Sequence, residues 1–405
     1  MERISNFYRW YDEPNFISIK IDDNYLKSLI DRCIKKAKTI ENLSKITKIS
    51  KASIHNYKNR SGMNIKNIKI ILDFLNIKYD RINQYIEKIG WNNTNPEIYL
   101  GSDEIAIILA ASLADGHLNQ SHFMYKNKNE ELINRIKKCV KKVFGDVNIS
   151  ERIDKNGTPY ILCPSFVKRQ LERLGSPRGK KLFHNPFVPK VIKQGTKSQK
   201  KLFIQHFFDD EGWPEVENRR VACCQAADTI DVLPKEFVNR LTLGKSYSVN
   251  KIPLILKSKI IKPNLLIDIQ DLLISNFGIH TNLNLKRIIR RNWKNKGDYV
   301  SAIWELQCMR KKDVQKFKEK INFFSSNKKN ILEDITNEQS IPKDILLKLL
   351  NLSIKLKKEK GFFRVKDMQD YLDLERGKIR KRLNTLVKHK ILYNNGGTYF
   401  LKLDI

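Results

Sequence analysis

ILAASLADGHL, Ile108 to Leu118, is matched about a hundred residues later by FIQHFFDDEGWP, Phe203 to Pro214. Both are apolar runs of helix length that stop at an acid followed by glycine. The last turn of a helix carries partial negative charge, so a carboxylate there costs about 0.3–1 kcal/mol. Two such acids in one chain, at the same place in two similar runs, call for a compensating use.

The elements beyond each run are also alike. A strand comes next, SHFMYKN (Ser121 to Asn127) in one case and RRVACCQA (Arg219 to Ala226) in the other. An amphipathic helix ending in Phe-Gly then appears in both, Glu131 to Gly145 and Asn264 to Gly278, with glycine at the position where a helix turns left-handed to stop. Further strands hold TPYILCP (Thr158 to Pro164) and YVSAIWELQC (Tyr299 to Cys308). In the latter Val300, Ala302, Trp304 and Leu306 alternate with polar Ser301, Glu305 and Gln307. A closing helix ends each half. The expectation is an α+β fold of two pseudo-symmetric αββαββα repeats, over residues 100–200 and 201–325, with an insertion near Ala227 to Pro263 in the second.

Composition points to the partner. The 405 residues carry 77 Lys+Arg against 44 Asp+Glu, a formal net charge of +33. Such an excess favours a polyanion, nucleic acid first among them. No apolar run reaches the roughly 20 residues needed to span a bilayer, and MERISNFYRWYDEPNF lacks the apolar segment of a signal peptide. A cytoplasmic, nucleoid-associated protein without a membrane partner is expected. Six cysteines (Cys33, Cys139, Cys163, Cys223, Cys224, Cys308) have no C-x-x-C spacing and read as reduced core residues.

The paired runs ending Ala114-Asp115-Gly116 and Asp210-Glu211-Gly212 resemble the two motifs of LAGLIDADG (DOD-type) homing endonucleases, over roughly residues 100 to 325. The resemblance implies a saddle of two sheets, with the motif helices packed side by side and both acids at its floor. Small Ala110 and Ala114, four residues apart, would let the helix backbones approach closely. Adjacent carboxylates repel unless a cation lies between them, so Mg²⁺ or Mn²⁺ is the implied cofactor. Asp115 and Glu211 are its implied ligands, with the carbonyls of Gly116 and Gly212 assisting. By the same likeness Asn127, with Lys128 beside it, and Gln225 stand where a strand ends facing the metal. A lysine near each centre is implied too, and Lys128, Lys155 and Lys294 are candidates that the sequence does not separate. His206 reads as a buried structural histidine facing Ala110. Asp210, in place of the usual small residue, is expected to point away from the seam. In Leu285 to Lys296, Lys286, Arg287, Arg290, Arg291 and Lys294 are expected to hold phosphates or read guanines.

Each end of the chain adds a small block. Residues 1–95 read as all-helical. There Asn42 to Gly62 resembles a Cro/repressor helix-turn-helix, although Lys48 stands where that family usually has a small residue. Its second helix would place Lys51, Ser53, His55, Asn56 and Lys58 toward a major groove. Residues 335–405 look like a winged helix. Arg376, Lys378, Arg380, Lys381 and Arg382 crowd one helix, Ile379, Leu383 and Leu386 face inward, and a hairpin turns at Asn395-Gly396-Gly397.

The function these readings imply is site-specific, metal-dependent cleavage of double-stranded DNA. Both halves of a pseudo-dimer lie in one chain, so a monomer is expected. Met1 at the start and Lys402-Leu403-Asp404-Ile405 at the end do not match an intein, which favours a free-standing or intron-borne protein. A non-cleaving DNA-binding regulator on the same scaffold and an RNA-splicing maturase are the alternatives.

Overall fold

The structure, a computed structural model, describes residues 7–59, 62–90, 92–294, 297–337, 343–369, 371–372, 376–388 and 391–402. The chain divides into two compact units, Met1–Ile335 and Thr336–Ile405.

Two helices form the centre of the larger unit. The first, Asp103–Leu113, starts at Ser102, whose hydroxyl accepts the Ile105 N–H at 3.2 Å. Every residue from Ile105 to Leu113 is buried. The second, Lys197–Glu211, starts with a capping box in which Thr196 and Gln199 satisfy each other's backbone N–H groups. It begins before residue 201, so a division at 200/201 falls inside it. The helices pack on one another within a single apolar core that includes Ala110, Ala114, Phe203 and Phe207. All-round burial explains why the first shows no polar stripe, with the partner helix on one side and a sheet on the other; the second is buried mainly from Phe203 onward, and its first turn exposes Lys197 and Ser198.

Apart from the short strand Gly145–Asp146 in the first half and the short elements between Asp228 and Asn264 in the second, the same order of elements follows each helix. In the first half come strands Gly116–Leu118 and Phe123–Lys126, helix Glu130–Phe144, strands Ser150–Ile153 and Pro159–Cys163, and helix Ser165–Arg173. In the second come strands Gly212–Glu215 and Arg220–Asp228, helix Asn264–Phe277, strands Asn282–Trp293 and Gly297–Cys308, and helix Lys311–Lys320. The order of strands across the two sheets also agrees. In each, the strand after the acid pairs with the next, which pairs with the fourth, which pairs with the third. The second sheet gains an edge strand, Ser246–Ser248, from the insertion. Gly145 and Gly278 both take positive φ, as their helix-stop positions require.

The N-terminal block is not all-helical. Strands Ser18–Ile21, Met63–Asn64 and Ile86–Ile89 form a small sheet, and Phe7–Arg9 pairs with Glu97–Tyr99. These strands are two to four residues long, too short to leave an alternating signature between the stronger helical patterns. Helices Ile40–Thr47 and Lys51–Lys58 do form, about a turn at Lys48 in the left-handed region (φ 57°, ψ 19°). The turn needs that geometry with or without glycine. Ser50 caps the second helix by accepting the Ser53 N–H at 3.1 Å. The block is tied to the first half through Glu13, which is buried and accepts from Tyr8, Arg169 and Gln170.

The smaller unit holds helices Lys343–Lys360, Val365–Gln369 and Arg376–Lys388. A three-stranded sheet pairs Phe363–Arg364 and Leu392–Asn395 with Thr398–Leu401. Ile379, Leu383 and Leu386 are buried in its core, and Gly396 and Gly397 turn the hairpin at positive φ. Among the described residues no helix is long and apolar enough to cross a membrane. Cys33, Cys139, Cys163, Cys223 and Cys308 are buried and unpaired; Cys224, next to Cys223 on the strand, is partly exposed.

Candidate functional site

Asp115 follows the first central helix by two residues, and Glu211 ends the second. In each case the chain leaves the helix straight into a strand through glycine. Neither glycine is needed for positive φ; both are needed for space. A Cβ on Gly116 would stand 2.6 Å from the Ala111 carbonyl oxygen and 2.8 Å from the Ser112 Cα. One on Gly212 would stand 2.8 Å from the Phe208 carbonyl oxygen and 2.9 Å from that of Ala222. Only glycine lets the strand fold back this tightly, which is what sets the preceding acid at the junction of helix and sheet.

An amide side chain meets each acid. Asn127 donates to the Asp115 Oδ2 at 3.0 Å, and the Gln225 side chain lies close enough to Glu211 to lower its pKa. Asn127 reaches its acid from just past strand Phe123–Lys126, whereas Gln225 reaches Glu211 from within strand Arg220–Asp228 and not from its end. Asp115 keeps access to solvent, yet protein crowds it closely enough that burial raises its carboxyl pKa; Lys181, Lys328 and Asn127 pull it back. Burial pushes Glu211 up to about 7, against the lowering effect of Lys181 and with the raising effect of Asp115.

Asp210 does not point away. Its side chain is wholly buried, accepting from Tyr125 Oη at 2.7 Å and from Asn127 Nδ2 at 3.1 Å, with its other oxygen 3.6 Å from His206 Nε2. The helix turns it inward because positions one residue apart differ by about 100° around the axis, and the surface on that side is already core. His206 is buried as expected. Burial moves the pair in opposite directions, Asp210 well above the usual carboxylate range and His206 well below the usual imidazole range. Asp209 is buried too, its carboxylate accepting the N–H groups of Phe324 (2.9 Å) and Ser325 (3.1 Å), and burial raises it to about 6.

The lysines at the site are ones the sequence did not single out. Lys181 donates to the carbonyl oxygens of Ala114 and of Gly116, the latter at 2.9 Å. Lys328 donates to those of Asp209 and of Gly212, the latter at 2.7 Å. Burial lowers the pKa of both, partly offset by the carboxylates they face. Lys128 and Lys155 are exposed on the first half, and Lys294 lies at the tip of the second hairpin. No motif marks Lys181 or Lys328, since each arrives from a joint outside the repeated elements.

A divalent ion can be weighed against these donors. Among the described residues no set of three His, Cys, Asp or Glu side chains is placed to hold a metal ion. Mg²⁺ needs no more than one or two carboxylates when water and phosphate supply the rest, and Asp115 and Glu211 provide that pair. The Gly116 and Gly212 carbonyls are less suited to the part expected of them, because both already accept from an ammonium.

On strand Asn282–Trp293 a bulge between Leu285 and Arg287 shifts the outward face, leaving Lys286, Arg287 and Arg291 exposed. Lys286 pairs with buried Glu305 at 2.7 Å. Arg290 instead binds Asp298 and the carbonyls of Val238 and Leu241, clamping the insertion to the hairpin. Asn295 and Lys296 lie outside the described residues. In the N-terminal helix pair Lys51, His55 and Asn56 are exposed. Ser53 and Lys58 are half-buried, with Lys51 near Glu41 (3.1 Å) and Lys58 near Asp31 (2.9 Å). In the smaller unit Arg376 and Arg380 are exposed and Arg382 is half-buried; the side chains of Lys378 and Lys381 lie outside the described ones.

No family model and no curated protein matches the chain. Among solved structures it is similar to mesophilic variants of the homing endonuclease I-DmoI, with 13% identity and a TM-score of 0.29, over 54% of this chain and 88% of that one. It is also similar to I-DmoI in complex with DNA and Mn, at 15% identity and a TM-score of 0.28, over 54% and 96%. A third is full-length DUF199/WhiA from Thermatoga maritima, at 12% identity and a TM-score of 0.34, over 71% and 92%. At these scores none of them assigns an activity to this chain.

Proposed function

We propose that the protein is a site-specific endonuclease of the LAGLIDADG type that hydrolyses phosphodiesters in double-stranded DNA. One observation carries this reading: Asp115 and Glu211 stand at matching ends of two packed helices, each with an amide side chain, Asn127 or Gln225, beside it. Nothing in the stability of the fold asks for carboxylates there. Bound Mg²⁺ or Mn²⁺, held by Asp115 and Glu211, would supply Lewis-acid stabilisation of phosphate charge and an activated water. Asn127 and Gln225 fix the acids' orientation. Lys286, Arg287 and Arg291 would follow the DNA backbone across the second sheet. The N-terminal helix pair, read as a helix-turn-helix, and the smaller unit, read as winged-helix-like, would extend the footprint of a monomer. The test is incubation with a duplex library and Mg²⁺ followed by sequencing of new ends. Defined double-strand breaks are expected, and binding without any break would overturn the reading.

A second reading has its own observation. Asp210 inside the seam brings a third carboxyl beside Asp115 and Glu211, which favours a regulator that binds DNA without cutting it. Tight duplex binding that Asp115→Asn leaves unchanged, with no cleavage at any metal concentration, is the outcome that reading expects.

A further inference from the structure

Each acid is flanked by a pair of backbone carbonyls, and in both cases the pair is held by a lysine. Ala114 and Gly116 lie either side of Asp115, with Lys181 on both oxygens; Asp209 and Gly212 bracket Glu211, with Lys328 on both. The two lysines come from different joints. Lys181 belongs to the segment after helix Ser165–Arg173, and Lys328 to the segment after helix Lys311–Lys320. Lys181 stands the same number of positions beyond Arg173 as Lys328 does beyond Lys320. An ammonium has three donors, and two carbonyls leave one over. The charges facing Lys181 are Glu211, Asp115 and Asp210, and those facing Lys328 are Asp209, Asp210, Asp115 and Glu211.

We infer that Lys181 and Lys328 are built-in cations at the two acids: they occupy the carbonyl pairs that a divalent ion would otherwise use, and so weaken its binding. The inference rests on the reading of Asp115 and Glu211 as the cation-binding pair. An ammonium on a carbonyl oxygen withdraws that oxygen from metal coordination. It also repels a divalent ion nearby, an effect that is large where water is scarce. The arrangement gives the paired carboxylates a counter-charge before any metal arrives. It also makes metal entry depend on lysine departure. A lysine that only capped a helix end would contribute to stability and leave metal affinity untouched, which separates the two roles.

The experiment is Mn²⁺ binding to the full chain, read from the electron paramagnetic resonance signal of the free ion. It compares wild type with Lys181→Met, Lys328→Met and the double variant, and with the Asp115→Asn, Glu211→Gln pair added to the last. The double variant is expected to bind Mn²⁺ about tenfold or more tightly than wild type, and Lys181→Arg to bind as weakly as wild type. Should the methionine variants fail to fold by circular dichroism, Lys181→Gln and Lys328→Gln replace them; they keep a donor for the carbonyls, remove the charge, and should still tighten binding. Affinity no higher than wild type in folded lysine variants overturns the inference and leaves the paired-acid reading standing. Gained binding that survives loss of both acids places the ion elsewhere, and both readings then fall.

Discussion

The Oδ2 atom of Asp210 lies 3.6 Å from Nε2 of His206, and both side chains are wholly excluded from solvent. Burial raises the Asp210 carboxyl well above the usual carboxylate range and lowers the His206 imidazole well below its own, so each is shifted toward its neutral form. A shift in that direction opposes the burial of two ions side by side. Asp210→Asn should therefore be tolerated within about 1 kcal/mol. Asp210→Ala, which leaves Tyr125 and Asn127 without their shared acceptor, should cost about 1–3 kcal/mol. Urea denaturation distinguishes the two; equal losses would mean that Asp210 is ionised.

Asp115→Asn and Glu211→Gln each keep shape and hydrogen-bonding capacity while removing a charge. Cleavage of a mapped target should fall by at least about a hundredfold in each. Duplex affinity should hold or improve, since a negative group near phosphate is lost. Parallel cleavage and mobility-shift assays give both readings on one sample.

The pH dependence of stability has a defined sign. Glu211 has a folded pKa of about 7 against an ordinary 4.5, through burial first and then the nearby Asp115. The folded state holds this proton more tightly than the unfolded state. The stability it contributes is fully present below about pH 4.5 and is lost as pH rises through about 7, on the order of 3 kcal/mol for the isolated group. Lys181, Lys328, Asp115 and Asp210 all face this carboxyl and set the final slope. Metal-free Glu211→Gln should flatten the fall between about pH 5 and 7, a window followed by thermal melts; an unchanged slope would assign it to other groups.

Gly116→Ala and Gly212→Ala test the tight exit from each helix. The added Cβ would meet backbone oxygens at 2.6 Å and 2.8 Å, which cannot swing aside as a side chain can. Each should destabilise by about 1–3 kcal/mol and reduce cleavage further by moving the acid. Chemical denaturation and single-turnover cleavage report the two effects.

Lys51, His55 and Asn56 are the exposed polar side chains of the helix that the turn at Lys48 presents. Lys51→Ala should weaken binding to all duplexes alike and lower the salt slope by about 1. Asn56→Ala should relax discrimination at one base by about 1–3 kcal/mol. Titrations at several salt concentrations on matched and altered targets separate the contributions.

Much of this is legible from residue order, and the reason is local. Apolar runs ending in Asp115-Gly116 and Glu211-Gly212 report all-round burial and a tight exit directly, because periodicity and glycine act within a few residues. The succession of elements in each half follows from the same patterns, as do the capped helix at Ser50 and the hairpin at Gly396 and Gly397. The small N-terminal sheet is hidden because strands of two to four residues carry too few alternations. Arg290 reads as groove-facing because sequence shows charge but not the bulge at Leu285/Arg287 or the Asp298 that holds it.

By itself, then, the sequence pointed to the two carboxylates at the helix exits and to the amides beside them, although Gln225 lies within its strand and not at its end. Only the tertiary structure decided what surrounds those carboxylates. Asp210 turns inward because helix geometry and the packed neighbour leave it no other side. Lys181 and Lys328 reach the acids from joints that no motif marks, since the electrostatic demand of a buried carboxylate is met by whatever cation the fold brings near, irrespective of distance along the chain.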